Sequence, residues 1–296
     1  MKVVFHFDGT EELHARLGDV VLCPESDAAA FERLLPDMEV LWHVLKPVTA
    51  DVIARAPKLK LIQKIGSGVN TIDVEAARKR GIAVCNLPGT NSRAVAEMTL
   101  LLMLACLRRL PDLQKSLKTG WFDAWHLQDH FGELGGRSVG LVGYGEVPKI
   151  LHPILEAMGA KVLYWSRSRE NSPFNEILSS SDIVSIHLPL TKETGRLIDP
   201  RRLKRGAILV NTARGGLVQE EFLAECLESG QLAAAGLDVF VTEPAERANP
   251  LLSLANVICT PHVAWLTRET LERSIAVARE NVHRLGSGAP LLHRIA

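Results

Sequence analysis

Short runs rich in valine, isoleucine and leucine alternate with stretches of helical period along almost the whole chain. That is the pattern of parallel strands joined by crossover helices. In the first part the runs fall at Val3 to Phe7, Val20 to Cys23, Val40 to Leu45, Leu59 to Ile65 and Ile82 to Asn86, with amphipathic segments between them. A longer helical pattern follows, from a cap at Asn91 or Ser92 through Ala94 to Arg109, with Pro111 as its expected end. Its continuous apolar face suggests a helix that bridges two bodies.

A second strand series is expected at Ser138 to Val142, Val162 to Trp165, Ile183 to Leu188, Ala207 to Asn211, Ala234 to Val239 and Val257 to Thr260. Their starts lie about 20 to 27 residues apart, the length of a strand plus a crossover helix. Six strands is the count of a Rossmann sheet. The last helical pattern, Glu269 to Leu285, is too short to fold alone and is expected to return to the first domain. The fold class is therefore α/β, with two doubly wound parallel-sheet domains. These are a Rossmann domain at 93–265 and a discontinuous flavodoxin-like domain at 1–92 and 266–296.

Composition narrows the partners. The 296 residues carry 34 Lys+Arg against 34 Asp+Glu, so no broad field draws the chain to nucleic acid or to an anionic membrane surface. The longest largely apolar run, Met98 to Leu107, is half of the roughly 20 residues that a spanning helix needs. The N-terminal stretch is acidic from Asp8 onward and has no signal-peptide core, which makes the cytoplasm the expected compartment. Cys23, Cys85, Cys106, Cys226 and Cys259 are scattered and form no C-x-x-C pair, so neither a disulfide framework nor a zinc site is suggested. Four of the five lie among apolar neighbours and read as core.

Directly after the strand SVGLV stand Gly143, Tyr144, Gly145, Glu146, Val147 and Pro148, followed by a helical pattern through Met158. This is G-x-G-x-x-G with its last glycine replaced. The first glycine permits a tight turn and the second lets backbone approach a pyrophosphate, while the helix amides beyond them face the anion. Pro148 falls in the first helical turn, where a missing amide costs little, so a dinucleotide site with a slightly displaced helix is expected. At the end of the next strand the chain reads Tyr164, Trp165, Ser166, Arg167, Ser168, Arg169, without the carboxylate that NAD recognition uses. A hydroxyl and guanidinium groups suit a ribose 2′-phosphate, which favours NADP, with NAD possible. A solvated basic loop is the alternative.

Ligands of open α/β sheets sit beyond the carboxyl ends of the strands. Three residues there come from successive strands: Arg214 after AILVNTA, Glu243 after the strand ending at Val239, and His262 after VICTP. Each alone has an ordinary structural reading. Together they supply a fixed cation, an acid and an imidazole, the equipment for reducing a carbonyl next to a carboxylate.

The segments GYGEVP, HLPLTKETGRLID, LVNTARGGLV, GLDVFVTEP and TPHVAW occur in order, and with them the chain resembles the D-isomer-specific 2-hydroxyacid dehydrogenase family over essentially its whole length. The resemblance implies Arg214 as substrate anchor, Glu243 and His262 as acid/base pair, and Asp238 near the nicotinamide carboxamide. It also implies a substrate-carboxylate site at the turn Gly66, Ser67, Gly68, whose successive amides make an anion nest. The ending with Ala264 and Trp265 is similar to the glyoxylate and hydroxypyruvate reductase branch, with Trp265 narrowing or covering the substrate pocket. In formate dehydrogenases of the superfamily a glutamine typically stands where Glu243 does, which disfavours that chemistry. The family uses the segment QKSLKTGWFDAWHLQDHF as a dimer arm, so a homodimer is implied, with Trp121 and Trp125 on the partner. Buried anchors within the chain are the alternative for these two residues. The expected activity is reduction of a small 2-oxo acid to the D-2-hydroxy acid. The alternative is a nucleotide-sensing, corepressor-like binding protein on the same fold.

Overall fold

A computed structural model describes residues 1–121, 123–168 and 171–296. Phe122, Arg169 and Glu170 lie outside the described residues, and so does the expectation that Arg169 contributes to a phosphate site. The chain divides into two compact units, Met1–Asn91 with Thr267–Ala296, and Ser92–Leu266. These bounds differ by one residue from the sequence-based ones, because Ser92 already belongs to a helix and Thr267 caps the last one.

In the first unit β1 (Val3–His6), α1 (Glu11–Leu17), β2 (Val21–Cys23), α2 (Ala28–Leu34) and β3 (Val40–His43) come first. They are followed by α3 (Ala50–Ala54), β4 (Leu61–Lys64), α4 (Val74–Lys79) and β5 (Ala83–Cys85). The strands pair in parallel in the order β2-β1-β3-β4-β5. Thr10, Asp27, Thr49 and Asp73 each cap a helix by accepting from the amide three residues on, which fixes where the helices begin. One face of the sheet, with Val4, Leu41, Ile62 and Val84, packs on Phe31, Ile53 and Ala77. The other face receives the closing helix of the chain, whose Asn281 donates to the buried Gln63 at 2.6 Å.

The second unit opens with α5 (Ser92–Leu107) and α6 (Leu110–Thr119). The expected helix through Arg109, ended by Pro111, is thus corrected. Arg109 turns the chain with φ +48°, and Pro111 stands in the first turn of α6, where no amide is needed. Then follow β6 (Ser138–Val142), α7 (Glu146–Ala157), β7 (Lys161–Trp165), α8 (Phe174–Ser180), β8 (Ile183–Ile186) and β9 (Ala207–Asn211). The unit ends with α9 (Glu220–Glu228), β10 (Leu232–Leu237) and β11 (Val257–Cys259), and α10 (Arg268–Ser287) returns to the first unit. Among the described residues the six strands are parallel, in the order β11-β10-β9-β8-β6-β7.

This sheet is buried on both faces, as near-continuous apolar strands require. Val139, Leu141, Ile208 and Val210 pack with Leu102 of α5 and Leu151 of α7. Val142, Leu209 and Leu237 point the other way, onto Ile177 of α8 and Leu223 of α9. Four of the cysteines are buried and Cys259 is half-buried, all as free thiols. Trp121 and Trp125 are 70% and 67% exposed, so the reading of both as buried anchors within the chain is overturned. Among the described residues no helix is long and apolar enough to cross a membrane.

Candidate active site

β9 ends at Asn211, whose side chain shapes the loop that follows. Its Oδ1 accepts from the Ala213 amide at 3.0 Å and its Nδ2 donates to the Arg214 carbonyl at 2.9 Å. Thr212 shares a 2.8 Å hydrogen bond with Thr99 of α5, both buried. Arg214 Nη1 donates to the Ala213 carbonyl at 2.6 Å. Burial loosens the guanidinium's hold on its proton and the charge of Glu243 works against that, so the net shift is below the ordinary arginine value. The next residue, Gly215, has no room for a side chain, since a Cβ would lie 1.9 Å from the Phe240 carbonyl carbon. The Arg214 loop and the loop after β10 therefore meet backbone to backbone.

That second loop presents Glu243. Its Oε1 accepts from the Phe240 amide at 3.0 Å, and its Oε2 faces Nδ1 of His262 at 2.7 Å. Burial pushes the Glu243 carboxyl up, but the His262 hydrogen bond and charge, the Phe240 amide and Arg214 together bring it below the ordinary glutamate range. One oxygen is fixed by backbone, so the other is aimed at the imidazole.

His262 follows β11 with φ +55°, a left-handed backbone rare for a residue with a side chain. Its amide donates to the Asp238 carbonyl at 2.8 Å. The Asp238 carboxylate, fully buried, accepts from Thr260 Oγ1 at 2.6 Å and from the Val263 and Ala264 amides at 2.9 Å each. Burial raises this carboxyl, those donors and His262 oppose it, and the net direction is upward. The Trp265 indole is 8% exposed, and its N–H donates to the His262 carbonyl at 3.1 Å. Arg214, Asp238, Glu243, His262 and Trp265 thus share one end of the sheet.

The glycine turn lies past β6. Gly143 has φ +101°, and a Cβ there would stand 2.4 Å from the His187 carbonyl oxygen, so only glycine fits. A Cβ on Gly145 would meet nothing within 4 Å, and α7 begins there with no side-chain cap on its first amides. Glu146 and Val147 supply the first of those amides, and Pro148 is buried in the same turn. Open space in front of uncapped helix amides fits the diphosphate of a dinucleotide. Tyr144 is locked, stacked on Tyr164 at 4.0 Å with its hydroxyl 2.6 Å from His152 Nδ1. Past β7, Ser166 is half-buried while Arg167 and Ser168 are exposed.

Ser67 and Gly68 belong to the first unit, beyond β4. Ser67 Oγ donates to the Leu87 carbonyl at 3.3 Å, and its own carbonyl accepts from Asn86 Nδ2 at 2.8 Å. Sequence reasoning passed over Asn211, Thr212, Thr99, His152 and His187. Of these, His187, Asn211 and Thr212 sat inside quoted motifs, where they served as markers of family rather than as supports of the site. Among the described residues no group of three or more His, Cys, Asp or Glu is placed to hold a metal ion.

Fold and glycine turn together define a nucleotide-binding α/β protein. Residues 100–264 match the family described as D-isomer specific 2-hydroxyacid dehydrogenase, NAD binding domain. The chain is 37% identical over 275 residues to a glyoxylate reductase of Korarchaeum cryptofilum, covering 88% of this chain and 82% of that one. It is 38% identical over 262 residues to a D-3-phosphoglycerate dehydrogenase of Archaeoglobus fulgidus, covering 84% of this chain but only 49% of that relative. Among solved structures, the TT0316 protein from Thermus thermophilus matches with a TM-score of 0.89 at 35% identity, over 100% of both chains. The chain belongs to the D-isomer-specific 2-hydroxyacid dehydrogenase family, and it is an oxidoreductase that uses a nicotinamide cofactor.

Proposed function

We propose that this enzyme reduces a small 2-oxo acid of the glyoxylate or hydroxypyruvate class to its 2-hydroxy acid, the D enantiomer where a stereocentre forms, with NADPH preferred to NADH. The observation that carries the reading is the 2.7 Å contact between His262 Nδ1 and Glu243 Oε2, made while the Phe240 amide holds the other carboxylate oxygen. With Nδ1 committed to the carboxylate, Nε2 is the nitrogen left to deliver a proton. Reduction of a ketone leaves negative charge on its oxygen, and His262 donates Nε2–H to that oxygen as the charge develops. Glu243 stabilises the imidazolium that must form first. Arg214 pairs with the carboxylate beside the carbonyl and polarises the group to be reduced. Ser67 and Gly68, in the first unit, are proposed as substrate-binding residues through their amides, and Trp265 is assigned to the substrate side of the second unit's site.

The nicotinamide cofactor supplies the hydride. Gly143, Tyr144, Gly145, Glu146 and Val147 are the residues proposed to hold its diphosphate, Ser166, Arg167 and Ser168 its 2′-phosphate, and Asp238 the nicotinamide end. The relative named glyoxylate reductase supports the substrate class. A homodimer is proposed through the segment that carries the exposed Trp121 and Trp125. The cytoplasm is the proposed compartment, in keeping with free rather than paired cysteines.

The test is steady-state turnover with glyoxylate, hydroxypyruvate, pyruvate and 3-phosphohydroxypyruvate, each with NADPH and NADH. The expected outcome is the highest kcat/KM for glyoxylate or hydroxypyruvate with NADPH. A clear preference for the phosphorylated acid transfers the assignment to the phosphoglycerate branch. No turnover of any acid with either cofactor favours a binding protein.

A further inference from the structure

Trp265 does more than border the substrate. Its N–H is a donor with no acceptor capacity, on a ring 8% exposed, and it is spent on the carbonyl of His262 at 3.1 Å. That carbonyl belongs to a residue with φ +55°, a backbone state that persists only where the surroundings over-determine it. Three sets of bonds do so here. The His262 amide is taken by the Asp238 carbonyl at 2.8 Å, and the amides of Val263 and Ala264 by the Asp238 carboxylate at 2.9 Å. The third is the indole, which among the described residues is the donor that holds the carbonyl side of the histidine.

We propose that Trp265 is a positioning residue that locks His262 in its left-handed conformation and so keeps Nδ1 on Glu243. The proposal rests on the acid/base reading of His262 above. The groups facing the imidazole are the Glu243 carboxylate at 2.7 Å and the Asp238 carboxylate beneath the loop, with Arg214 acting through Glu243. Asp238 is held by Thr260 Oγ1 and two amides independently of the indole, so loss of the indole bond leaves it in place. What changes is the freedom of residue 262 to relax toward an ordinary φ, which carries the ring away from Glu243 Oε2.

The test is Trp265→Phe, which keeps an apolar ring and removes the donor. Replacement of Trp265 by benzothienylalanine, in which sulfur stands for the N–H in a bicycle of the same shape, serves if the phenylalanine variant folds poorly. The expected result is a fall in kcat of about tenfold, the worth of one buried hydrogen bond. Cofactor Kd should stay within about twofold, and the pH limb of reduction should move to lower pH, as it does in Glu243→Gln. In the double variant with Glu243→Gln the limb should move no further, because both changes break the same pair. An unchanged pH limb overturns the proposal, whether kcat falls through lost packing or stays as it was. A loss confined to KM for the 2-oxo acid overturns it too and makes Trp265 a substrate contact. Full turnover of His262→Ala removes the underlying reading instead, so the two failures are separable.

Discussion

In the first sheet the ionisable residues His6, His43 and Lys64 are the last residues of β1, β3 and β4 and stand in register on adjacent strands. In the second sheet Arg214, Glu243 and His262 stand beyond the ends of β9, β10 and β11, on loops. The few residues between strand end and side chain change the chemistry. His6 is stacked on the Phe31 ring at 3.9 Å, and its Nε2, like His43 Nδ1, is buried with no hydrogen-bond partner among the described residues. His43 Nε2 lies 2.7 Å from the Lys46 carbonyl, which can only accept, so the proton sits on Nε2 and the ring is neutral. Burial first and the charge of Lys46 second lower His6 to about 4, with Asp8 opposing. Burial and Lys64 take His43 well below its ordinary value, with the Lys46 carbonyl opposing. The histidine of the second sheet instead faces a carboxylate that is itself held ionised. A strand end is covered by packed helices, whereas the loops beyond it meet solvent, and the acid/base role is proposed for the histidine on such a loop.

The sharpest way to break this contrast is to remove the histidines in turn. His262→Ala is expected to lower kcat by about 100-fold to 10,000-fold, the range for a positioned general acid, with cofactor affinity little changed. His43→Leu should leave kcat per folded molecule intact. Steady-state kinetics beside a cofactor titration check both, and a full loss of turnover in His43→Leu would erase the distinction between the two edges.

The second effect in size is on stability, and it belongs to the first sheet. A folded-state pKa of about 4 for His6 lies below the ordinary 6.5 of the unfolded chain, so the unfolded state binds more protons between those values. Stability is therefore complete above about pH 6.5 and falls as the pH drops toward 4, by roughly 3 kcal/mol from this one residue. His43 adds to the loss in the same direction. Urea unfolding at pH 7, 5.5 and 4.5 measures the slope, and His6→Leu should flatten it. An unaltered slope means that folded His6 accepts its proton freely.

What could be read from the sequence divides along the same line. Every strand was legible, because parallel strands buried on both faces must be continuous apolar runs. Strand ends were less so: β8 is bounded at Ile186 rather than Leu188, although the His187 amide still donates to the Val142 carbonyl at 2.7 Å. Pro153 inside α7 and Pro111 at the start of α6 show that a proline is a boundary only where its missing amide matters. Arg214, Glu243 and His262 were legible because strand-end loops are few and such residues there are conspicuous. The row of His6, His43 and Lys64 was not, since no pattern of apolar positions tells whether an ionisable strand residue will be desolvated. The supports of the site, Asn211, Thr212 with Thr99, and the indole bond to His262, arise from side chains meeting across the fold, which local sequence does not encode.

Glu243→Gln tests the pairing at the second edge with a smaller change. Glu243 is held below its ordinary range and is anionic at neutral pH. An amide in its place no longer favours the imidazolium, so reduction should fade at a lower pH than in the parent enzyme, with kcat at neutral pH down about tenfold. The pH profile of kcat decides it, and superimposable limbs would show that the 2.7 Å contact does not govern the proton.

The smallest expected effect concerns a residue past the same end of the sheet that is exposed and has no ion pair among the described residues. Arg167 is exposed just past β7, and its charge is felt by Glu193, whose carboxyl is held below its ordinary range chiefly by Thr191 and in small part by Arg167. A charge-assisted bond to a 2′-phosphate is worth about 1.5 to 3 kcal/mol, but exposure and a competing carboxylate draw the gain to the lower end. Preference for NADPH over NADH is thus expected near tenfold. Arg167→Ala should erase it while NADH efficiency stays put. Glu193→Gln should raise it slightly by removing a nearby negative charge, a change opposite in sign to any general damage to the turn. Kinetics with both cofactors for the parent and the two variants give the answer. Equal efficiency with NADH in the parent enzyme makes Arg167 a solvated cation, and the proposed chemistry at Arg214, Glu243 and His262 is then left without selection of the cofactor's phosphate.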